Sequence, residues 1–258
     1  MDNKMIDKLK SIIISAGDIL KSSNVIINKH KSINDLLTMN DIIIENYIID
    51  NIKKEYPNIN IISEENNPNN KLDGYTIVID PIDGTCNFAS DIGLYGIQLA
   101  LFDNMDCIFS SIYFPLNNEL IYAIKNQGCY CNDVKLVVSN KDSIDGILLI
   151  SDYYSNISIS IDKQFELVKN LQKNFLKTRH FGAACVDFSF MAKSNGVAYI
   201  SYYSNIWDIA PGLLIAKEAG CVYKNIYGKD YQYNDCGIVV ANNINNLNLI
   251  LNIAKEII

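Results

Sequence analysis

Histidine, paired cysteines and long apolar runs are scarce in this sequence, and each shortage narrows what the protein can be. Only His30 and His180 occur among 258 residues, which disfavours a metal centre built on imidazoles. The seven cysteines are an odd number without CxxC spacing, so they indicate reduced thiols, not a disulfide framework or a zinc site. No apolar run reaches the roughly 18 residues of a membrane span, and the N-terminus lacks the apolar core of a signal peptide. We therefore expect a soluble, cytoplasmic protein with no part in a membrane.

Basic residues are outnumbered as well. The 22 lysines and arginines face 29 aspartates and glutamates, which gives a formal net charge of −7. Wide contact with nucleic acid or with an anionic membrane requires a basic surface, so the composition disfavours both as partners. A small anionic substrate would then need metal ions beside it.

Two patterns divide the chain near residue 142. Residues 1–142 predict helices at 4–22 and 38–56, then short β-type runs at 93–101, 107–113 and 120–124, which are typical of an antiparallel meander. From residue 143 onward, strands at 146–151, 197–202 and 236–241 alternate with helices at 163–171, 186–193, 208–219 and 245–258. No low-complexity linker separates them. We expect an N-terminal α+β half, residues 1–142, packed tightly on a C-terminal α/β half, residues 143–258.

Residues 77–88, IVIDPIDGTCNF, form the most informative stretch of the sequence. An apolar strand carries Asp80 and Asp83 at its end, Pro81 ends regular pairing there, and Gly84 with Thr85 offers free backbone N–H groups. Clustered carboxylates suit a hard cation such as Mg²⁺, and free amides suit a phosphate. The alternative is a tight turn without function, because Asp-Pro and Asp-Gly pairs are common turn formers.

DPIDGTCNF resembles the D-P-x-D-G-T-x-N-F signature of the inositol monophosphatase superfamily of Mg²⁺-dependent, lithium-sensitive phosphomonoesterases. Four more segments resemble that family in order and spacing: DLLTMND (35–41), ISEE (62–65), RHFGAA (179–184) and WDIAPG (207–212). The resemblance spans nearly the whole chain. It implies an α/β (α+β layered) architecture, the layered α-β-α-β-α sugar-phosphatase fold.

The resemblance implies a site with two or three Mg²⁺ ions. Glu64, Asp80 and the carbonyl of Ile82 would hold the first ion, and Asp80, Asp83 and Asp208 would hold the second. A third, weaker ion would rest on Glu64 and water. Without the resemblance, Asp208 would be read equally well as an ordinary helix N-cap. Mg²⁺ uses few carboxylates and keeps several waters, which leaves room for phosphate oxygens.

The catalytic residues implied by the resemblance are Asp41, Thr85 and Glu64. Thr85, paired with Asp41, would orient and deprotonate the attacking water, so that no covalent phosphoenzyme is needed. Glu45, one helical turn after Asp41, is expected to be structural. Glu65 points to the opposite face from Glu64 in a regular strand, and its role is left open.

Residues 22–35 are polar and include His30, so we expect a mobile surface segment. The resemblance implies a loop that closes over the site and helps to hold a further metal ion. A solvated loop without function is the alternative.

The substrate-binding residues implied by the resemblance are Asp83, Gly84, Thr85, Gly182, Ala183, Ala184, Ser201 and Asp208. Ala183 lacks the hydroxyl that relatives present to the substrate. Ser201 occupies the place where inositol-specific members carry a glutamate that binds a sugar hydroxyl. The two small residues predict a roomier, less acidic pocket that accepts inositol monophosphate without strongly preferring it.

These features predict a Mg²⁺-dependent phosphomonoesterase that hydrolyses a small phosphorylated alcohol, inositol monophosphate or a similar sugar or polyol phosphate. The family's phosphatases for 3'-phosphoadenosine phosphate, fructose 1,6-bisphosphate or histidinol phosphate are alternatives, because the metal site recognises only the phosphate. A protein that binds the transcription machinery through this fold is an alternative of another class. The resemblance also implies a homodimer.

Overall fold

A computed structural model describes residues 3–32, 35–203 and 205–258, except for the side chains at 30–32 and 35. The helices are α1 (Asn3–Lys21), α2 (Met39–Glu55), α3 (Thr85–Ala89), α4 (Ile161–Leu171), α5 (Ala184–Ala192), α6 (Ile206–Ala219) and α7 (Ile244–Ile257). The strands are β1 (Ile27–Ser32), β2 (Asp35–Thr38), β3 (Asn60–Ser63), β4 (Tyr75–Asp83), β5 (Gly96–Asp103), β6 (Asp106–Phe114), β7 (Glu119–Ile124), β8 (Gly128–Cys131), β9 (Val134–Leu136), β10 (Ile147–Ile150), β11 (Lys177–Arg179), β12 (Ala198–Ser201), β13 (Val222–Asn225) and β14 (Ile238–Ala241).

The first large sheet has seven strands in the order of the chain, β3 to β9. Its strands pair antiparallel from β4 onward, as short turns require, and only β3 runs parallel to β4. Strands β4 and β5 are almost continuously apolar, because both faces of the sheet are covered. The predicted antiparallel meander is therefore present.

The second large sheet has five strands in the order β11-β10-β12-β14-β13. Strand β10 pairs parallel with β11 and β12, whereas β14 pairs antiparallel with β12 and β13. The sequence patterns missed β11, β13 and β9, which have only three or four residues and expose much of their surface.

Three apolar clusters hold the elements in five layers. Helices α1 and α2 cover one face of the seven-stranded sheet, and α5 and α6 lie between the two sheets. Helices α4 and α7 cover the outer face of the five-stranded sheet. The predicted α-β-α-β-α layering is confirmed. The middle layer is tightly packed, since a Cβ at Gly212 of α6 would lie 2.1 Å from the ring of Phe188 on α5.

Two local predictions were wrong. Residues 27–32 form β1, which pairs with β2 as a hairpin, so this part of the polar segment is not an irregular loop. Residues 33 and 34, the side chain of His30 and any contact that this segment makes with a metal lie outside the described part. Regular pairing is interrupted at Pro81 but does not end there, because β4 pairs with β5 again at Asp83. None of the described helices is long and apolar enough to cross a membrane.

Candidate active site

Asp80 and Asp83 lie at the carboxyl end of β4 and face the same side of the sheet. From Asp80 to Asp83 the chain takes three steps, while its partner strand β5 takes two, so a β-bulge separates the acids. Without the extra residue, side chains three positions apart would face opposite sides. Pro81 lies within the bulge, where its missing N–H removes no ladder bond. Gln98 of β5 donates to Asp80 Oδ2 at 3.3 Å.

Glu64 follows β3, the strand next to β4, so the parallel pairing brings it beside Asp80. Its N–H donates to the carbonyl of Ile79 at 3.3 Å. The buried carboxylate of Glu45 on α2 holds the turn that follows. It accepts hydrogen bonds from Ser63 Oγ at 2.8 Å, Glu65 N at 2.8 Å and Asn66 N at 2.7 Å. Glu45 is therefore structural, as predicted, and Glu65 joins this network through its backbone.

Asp41 is buried at the start of α2, and both of its carboxylate oxygens have hydrogen-bond partners. Oδ2 accepts from Thr38 N at 2.8 Å and from Thr38 Oγ1 at 2.6 Å, which completes a capping box. Oδ1 lies 3.2 Å from Thr85 Oγ1, which also lies 2.9 Å from the carbonyl of Ile82. The structure thus brings together the predicted pair, Asp41 and Thr85, at the end of the strand that carries the acids.

Asp208 reaches the site from the other half of the chain, at the start of α6. It is the third residue of the helix and not its N-cap, because Asn205 occupies that position. Asn205 N donates to Asp208 Oδ2 at 2.9 Å, and Asn205 Nδ2 lies 3.5 Å from the same oxygen. Capping therefore fixes a half-buried carboxylate at the first turn of α6.

The segment from Gly182 to Ala184 faces the turn after β4. Gly84 has φ of +89°, and a Cβ there would lie 2.9 Å from the carbonyl of Leu94 and 3.0 Å from the Cβ of Ala183, so a side chain is disfavoured on both counts. Asn87 of α3 joins the two halves by donating to the carbonyl of Phe181 at 2.7 Å. This contact brings the two predicted substrate-binding segments to one place.

The carboxylates at this place oppose one another's ionisation. Burial raises the pKa of Asp80 well above its usual range, and the negative charges of Glu64, Asp83 and Asp208 add to the rise. Burial raises the pKa of Asp83 to about 6, although hydrogen bonding from Cys185, whose N–H donates to Oδ2, opposes this. Four acids from three separate segments are therefore within electrostatic reach of each other.

The donor set fits Mg²⁺ by its chemistry. Asp80 Oδ1 is buried and accepts no hydrogen bond within the described part of the chain. A cation would stabilise such an oxygen among like charges, and carboxylate and carbonyl oxygens are the ligands that Mg²⁺ prefers. Across residues 3–32, 35–203 and 205–258, however, no three His, Cys, Asp or Glu side chains are already arranged so that they could hold an ion. The individual ligand assignments and the number of ions stay predictions.

A small pocket adjoins the acids, with a volume of about 120 Å³. The residues that line it are Asp83, Ser151, Asp152, Tyr154, Gly182, Ala183, Ala184, Asp187, Tyr199 and Asp208. Asp152 and Asp187 add two carboxylates to the pocket that sequence patterns did not single out. A lone Asp in a loop or in the first turn of a helix carries no such signal. A pocket less acidic than that of inositol-specific relatives stays a prediction.

Ser201 is completely buried at the end of β12, and its hydroxyl donates to the carbonyl of Tyr203 at 3.0 Å. Its contact with a substrate stays a prediction, since the side chain would have to leave this bond and become accessible.

Comparison with known proteins agrees with this geometry. A sequence model of the Inositol monophosphatase family matches residues 2–258. The chain belongs to the inositol monophosphatase family. Members of the family are Mg²⁺-dependent phosphatases that act on small phosphorylated substrates.

Two curated relatives carry different names. The Nus factor SuhB of Pasteurella multocida is 32% identical over 212 residues, which cover 82% of this chain and 79% of that protein. The inositol-1-monophosphatase of Bacillus subtilis is 30% identical over 213 residues, which cover 81% and 80% of the two chains. The family is therefore established, and the names within it diverge.

Solved structures share the fold at lower identity. The extragenic suppressor protein SuhB of Bartonella henselae superposes with a TM-score of 0.90 at 22% identity, and covers 99% of this chain and 100% of its own. An IMPase/NADP phosphatase complexed with Mg²⁺ and phosphate superposes with a TM-score of 0.82 at 22% identity, covering 97% and 94% of the two chains. These likenesses establish the layered architecture.

Proposed function

We propose that this chain is a Mg²⁺-dependent phosphomonoesterase that hydrolyses the phosphate ester of a small alcohol. The observation that carries the proposal is the contact of 3.2 Å between Thr85 Oγ1 and Asp41 Oδ1, beside the acids of β4. Asp41 already caps α2 through Thr38, so a threonine with a purely structural role would not need a hydrogen bond to its other oxygen. A threonine that passes a proton beside a phosphate site would need that hydrogen bond.

The proposed roles divide between the two halves of the chain. Glu64, Asp80 and Asp83, with the carbonyl of Ile82, would hold the cations from the first half, and Asp208 would do so from the second. When bound, Mg²⁺ neutralises the charge of the phosphate and activates water for in-line attack. The number of ions, two or three, and the sensitivity to lithium that the family resemblance implies are parts of the proposal.

Thr85 and Asp41 would move the proton. If the Thr85 hydroxyl donates to Asp41 Oδ1, it would pass its own proton to that carboxylate as it accepts one from the attacking water. The carboxylate is held for this task by two hydrogen bonds from Thr38 on its other oxygen. The backbone N–H groups of Gly84 and Thr85 would orient the phosphate.

The alcohol part of the substrate would occupy the pocket between Gly182–Ala184 and Asp208. This pocket has a volume of about 120 Å³ and is bordered by the proposed metal ligands Asp83 and Asp208. We expect inositol monophosphate to be accepted and not strongly preferred. Ser201 would contact the substrate only if the end of β12 moved and exposed its side chain.

The test is phosphate release from a panel of sugar, polyol and nucleotide phosphates at millimolar Mg²⁺, with and without EDTA. We expect turnover that EDTA abolishes, that small phosphorylated alcohols support best, and that lithium inhibits. Turnover that persists in EDTA would contradict the mechanism. Thr85→Ser, which keeps the hydroxyl, serves as the matched control for Thr85→Ala.

The identity of 32% with a protein named Nus factor SuhB favours a second candidate, binding to the transcription machinery. A pull-down of RNA polymerase with the wild type and with Asp208→Asn distinguishes a binding protein from a phosphatase. Equal capture by both, with no turnover of any phosphate, would favour binding as the function. The net charge of −7 argues against wide contact with nucleic acid in either case.

We further propose a cytoplasmic homodimer whose two halves, residues 1–142 and 143–258, fold as one unit. This rests on family membership and on the middle helix layer, which packs against both sheets. Light scattering at micromolar concentration should give twice 29.0 kDa, and a mass of 29.0 kDa would contradict the dimer.

A further inference from the structure

Two acids of the pocket have no part in the roles assigned above. Asp187 lies in the first turn of α5 and is 1% exposed, whereas Asp152 follows β10 and is exposed at the rim. Both line the pocket that Asp83 and Asp208 border. They therefore lie on the side of the metal ligands where the alcohol would bind.

Asp187 is the less expected of the two, because it is buried without compensation. Its Oδ1 atom accepts no hydrogen bond from any residue that the structure describes. Burial raises the pKa of Asp187 well above its usual range, and the charges of Asp83 and Asp152 raise it further. A buried carboxyl in a negative potential is stabilised by a positive group, and native proteins rarely leave such an atom unpaired.

No residue that the structure describes at the pocket supplies that positive group. The pocket lining, drawn from the described residues, contains no lysine, arginine or histidine. Glu64, Asp80, Asp83 and Asp208 are the proposed partners of Mg²⁺, and the phosphate brings negative charge of its own. Asp152 and Asp187 remain as two acids without an assigned cation.

We propose that Asp152 and Asp187 recognise an ammonium group on the substrate, which makes the preferred substrate the phosphate ester of a small amino alcohol. This inference rests on the proposed phosphatase function and specifies its substrate class. Asp187 at the floor would bind the ammonium, and Asp152 at the rim would attract it. An ammonium group has three donors and a full charge, so it satisfies Oδ1 and offsets both acids at once.

The alternatives fit the pocket less well. A neutral hydroxyl could donate to Asp187, but it brings no positive charge that would stabilise the ionised form of this buried acid or offset Asp152. A further metal ion at Asp152 and Asp187 is the alternative that the substrate comparison tests, because it would favour neither the amine nor the hydroxyl analogue. The volume of about 120 Å³ suits an aminoalkyl group of a few atoms.

The decisive substrates are glycerol 1-phosphate and its analogue in which an amine replaces the hydroxyl at carbon 2. At pH 7 an alkylamine is protonated, so the two differ mainly in one positive charge. We expect kcat/KM to favour the amine roughly tenfold to a hundredfold, the effect of one hydrogen bond to a charged group. Asp187→Asn should reduce this ratio to near one, and Asp152→Asn should reduce it in part.

Asp162→Asn is the matched control, because Asp162 is an exposed acid in the first turn of α4 and does not line the pocket. It should leave the ratio unchanged. A wild-type ratio of one or less, or a ratio that survives Asp187→Asn and Asp152→Asn, would overturn the inference while leaving the phosphatase proposal intact. Because Asp152 is exposed, its variant is informative even if Asp187→Asn does not fold.

Calorimetric titration with the free alcohols, 2-amino-1,3-propanediol and glycerol, gives a readout without turnover. We expect the amine to bind more tightly than glycerol, and Asp187→Asn to remove the difference. Equal binding of the two alcohols to the wild type would overturn the inference. Selective binding of the amine by a protein that hydrolyses neither ester would support the inference and refute the proposed phosphatase function.

Discussion

Helices α2 and α6 begin in the same way and bring their aspartates to the site for different purposes. Each carries an Asp at its third position that accepts a hydrogen bond from the backbone of the N-cap residue, Thr38 or Asn205. Asp41 is fully buried and has hydrogen bonds on both oxygens, whereas Asp208 is half-buried and borders the pocket. One local motif thus positions both the proposed proton acceptor and the proposed metal ligand, and the two differ in burial.

The largest expected effect tests the α6 side of this comparison. Asp208→Asn keeps an oxygen that can accept from Asn205 but removes a charge near Asp80. We expect kcat/KM to fall at least about a thousandfold and Mg²⁺ affinity to weaken, because a ligand is lost. Thermal unfolding in EDTA should show unchanged or increased stability, since one repulsive charge is gone. Unchanged Mg²⁺ affinity, measured by calorimetry, would remove Asp208 from the metal site.

The corresponding change on α2 should affect turnover and not Mg²⁺ binding. Asp41→Asn should lower kcat about a hundredfold, within the usual range for general acid–base catalysis, and leave Mg²⁺ affinity unchanged. A shift in the pH dependence of kcat would separate loss of the proton acceptor from loss of structure. If Asp41→Asn weakens Mg²⁺ binding as much as Asp208→Asn does, the two aspartates have the same role.

The acids are also expected to differ in their response to pH. The pKa of Asp83, raised to about 6 by burial, lies above its ordinary value of 3.8, so proton uptake competes with a cation at mildly acidic pH. Apparent Mg²⁺ affinity should weaken about tenfold from pH 7 to pH 5. For the metal-free protein, the folding stability that Asp83 contributes changes with pH in the opposite direction. A raised pKa stabilises the fold below about pH 4, and this contribution is lost as pH rises to about 6. Calorimetry and melting in EDTA measure the two effects.

The smallest effects are expected for substitutions of the two N-cap residues, Thr38 and Asn205. Thr38→Ala removes the hydroxyl that lies 2.6 Å from Asp41 Oδ2, and should cost about 1 kcal/mol of unfolding free energy with a severalfold loss of kcat. Asn205→Ala removes a side-chain contact of 3.5 Å and the side chain's part in the capping box, but the backbone N–H of residue 205 can still donate to Asp208. We expect Asn205→Ala to lower the free energy of unfolding, measured in urea, by less than half as much as Thr38→Ala does. Equal costs would mean that the two helix starts are energetically the same.

The sequence and the structure agree where signals are local. Asp80, Asp83 and Thr85 could be predicted because they are close in the chain and interrupt an apolar strand. The periodic segments predicted an α+β half and an α/β half, and the resemblance to the family implied the layered fold. Asp187 could not be predicted, because an acid in the first turn of a helix is ordinary in any protein and its neighbour Asp152 is 35 residues away in the sequence. The alternation of strands and helices also gave no sign of the bulge in β4, which depends on pairing with β5.

That bulge makes the length of the chain here as important as its composition. Deleting Pro81 or Ile82 would leave Asp83 two positions after Asp80, on the same side of a regular strand, but the extra residue that the bulge holds between the two acids would be lost. Inserting one residue would move Asp83 out of its pairing with Gly96 of β5. Either change alters the spacing of the two acids along the strand, whereas a change of side chain at Pro81 or Ile82 does not.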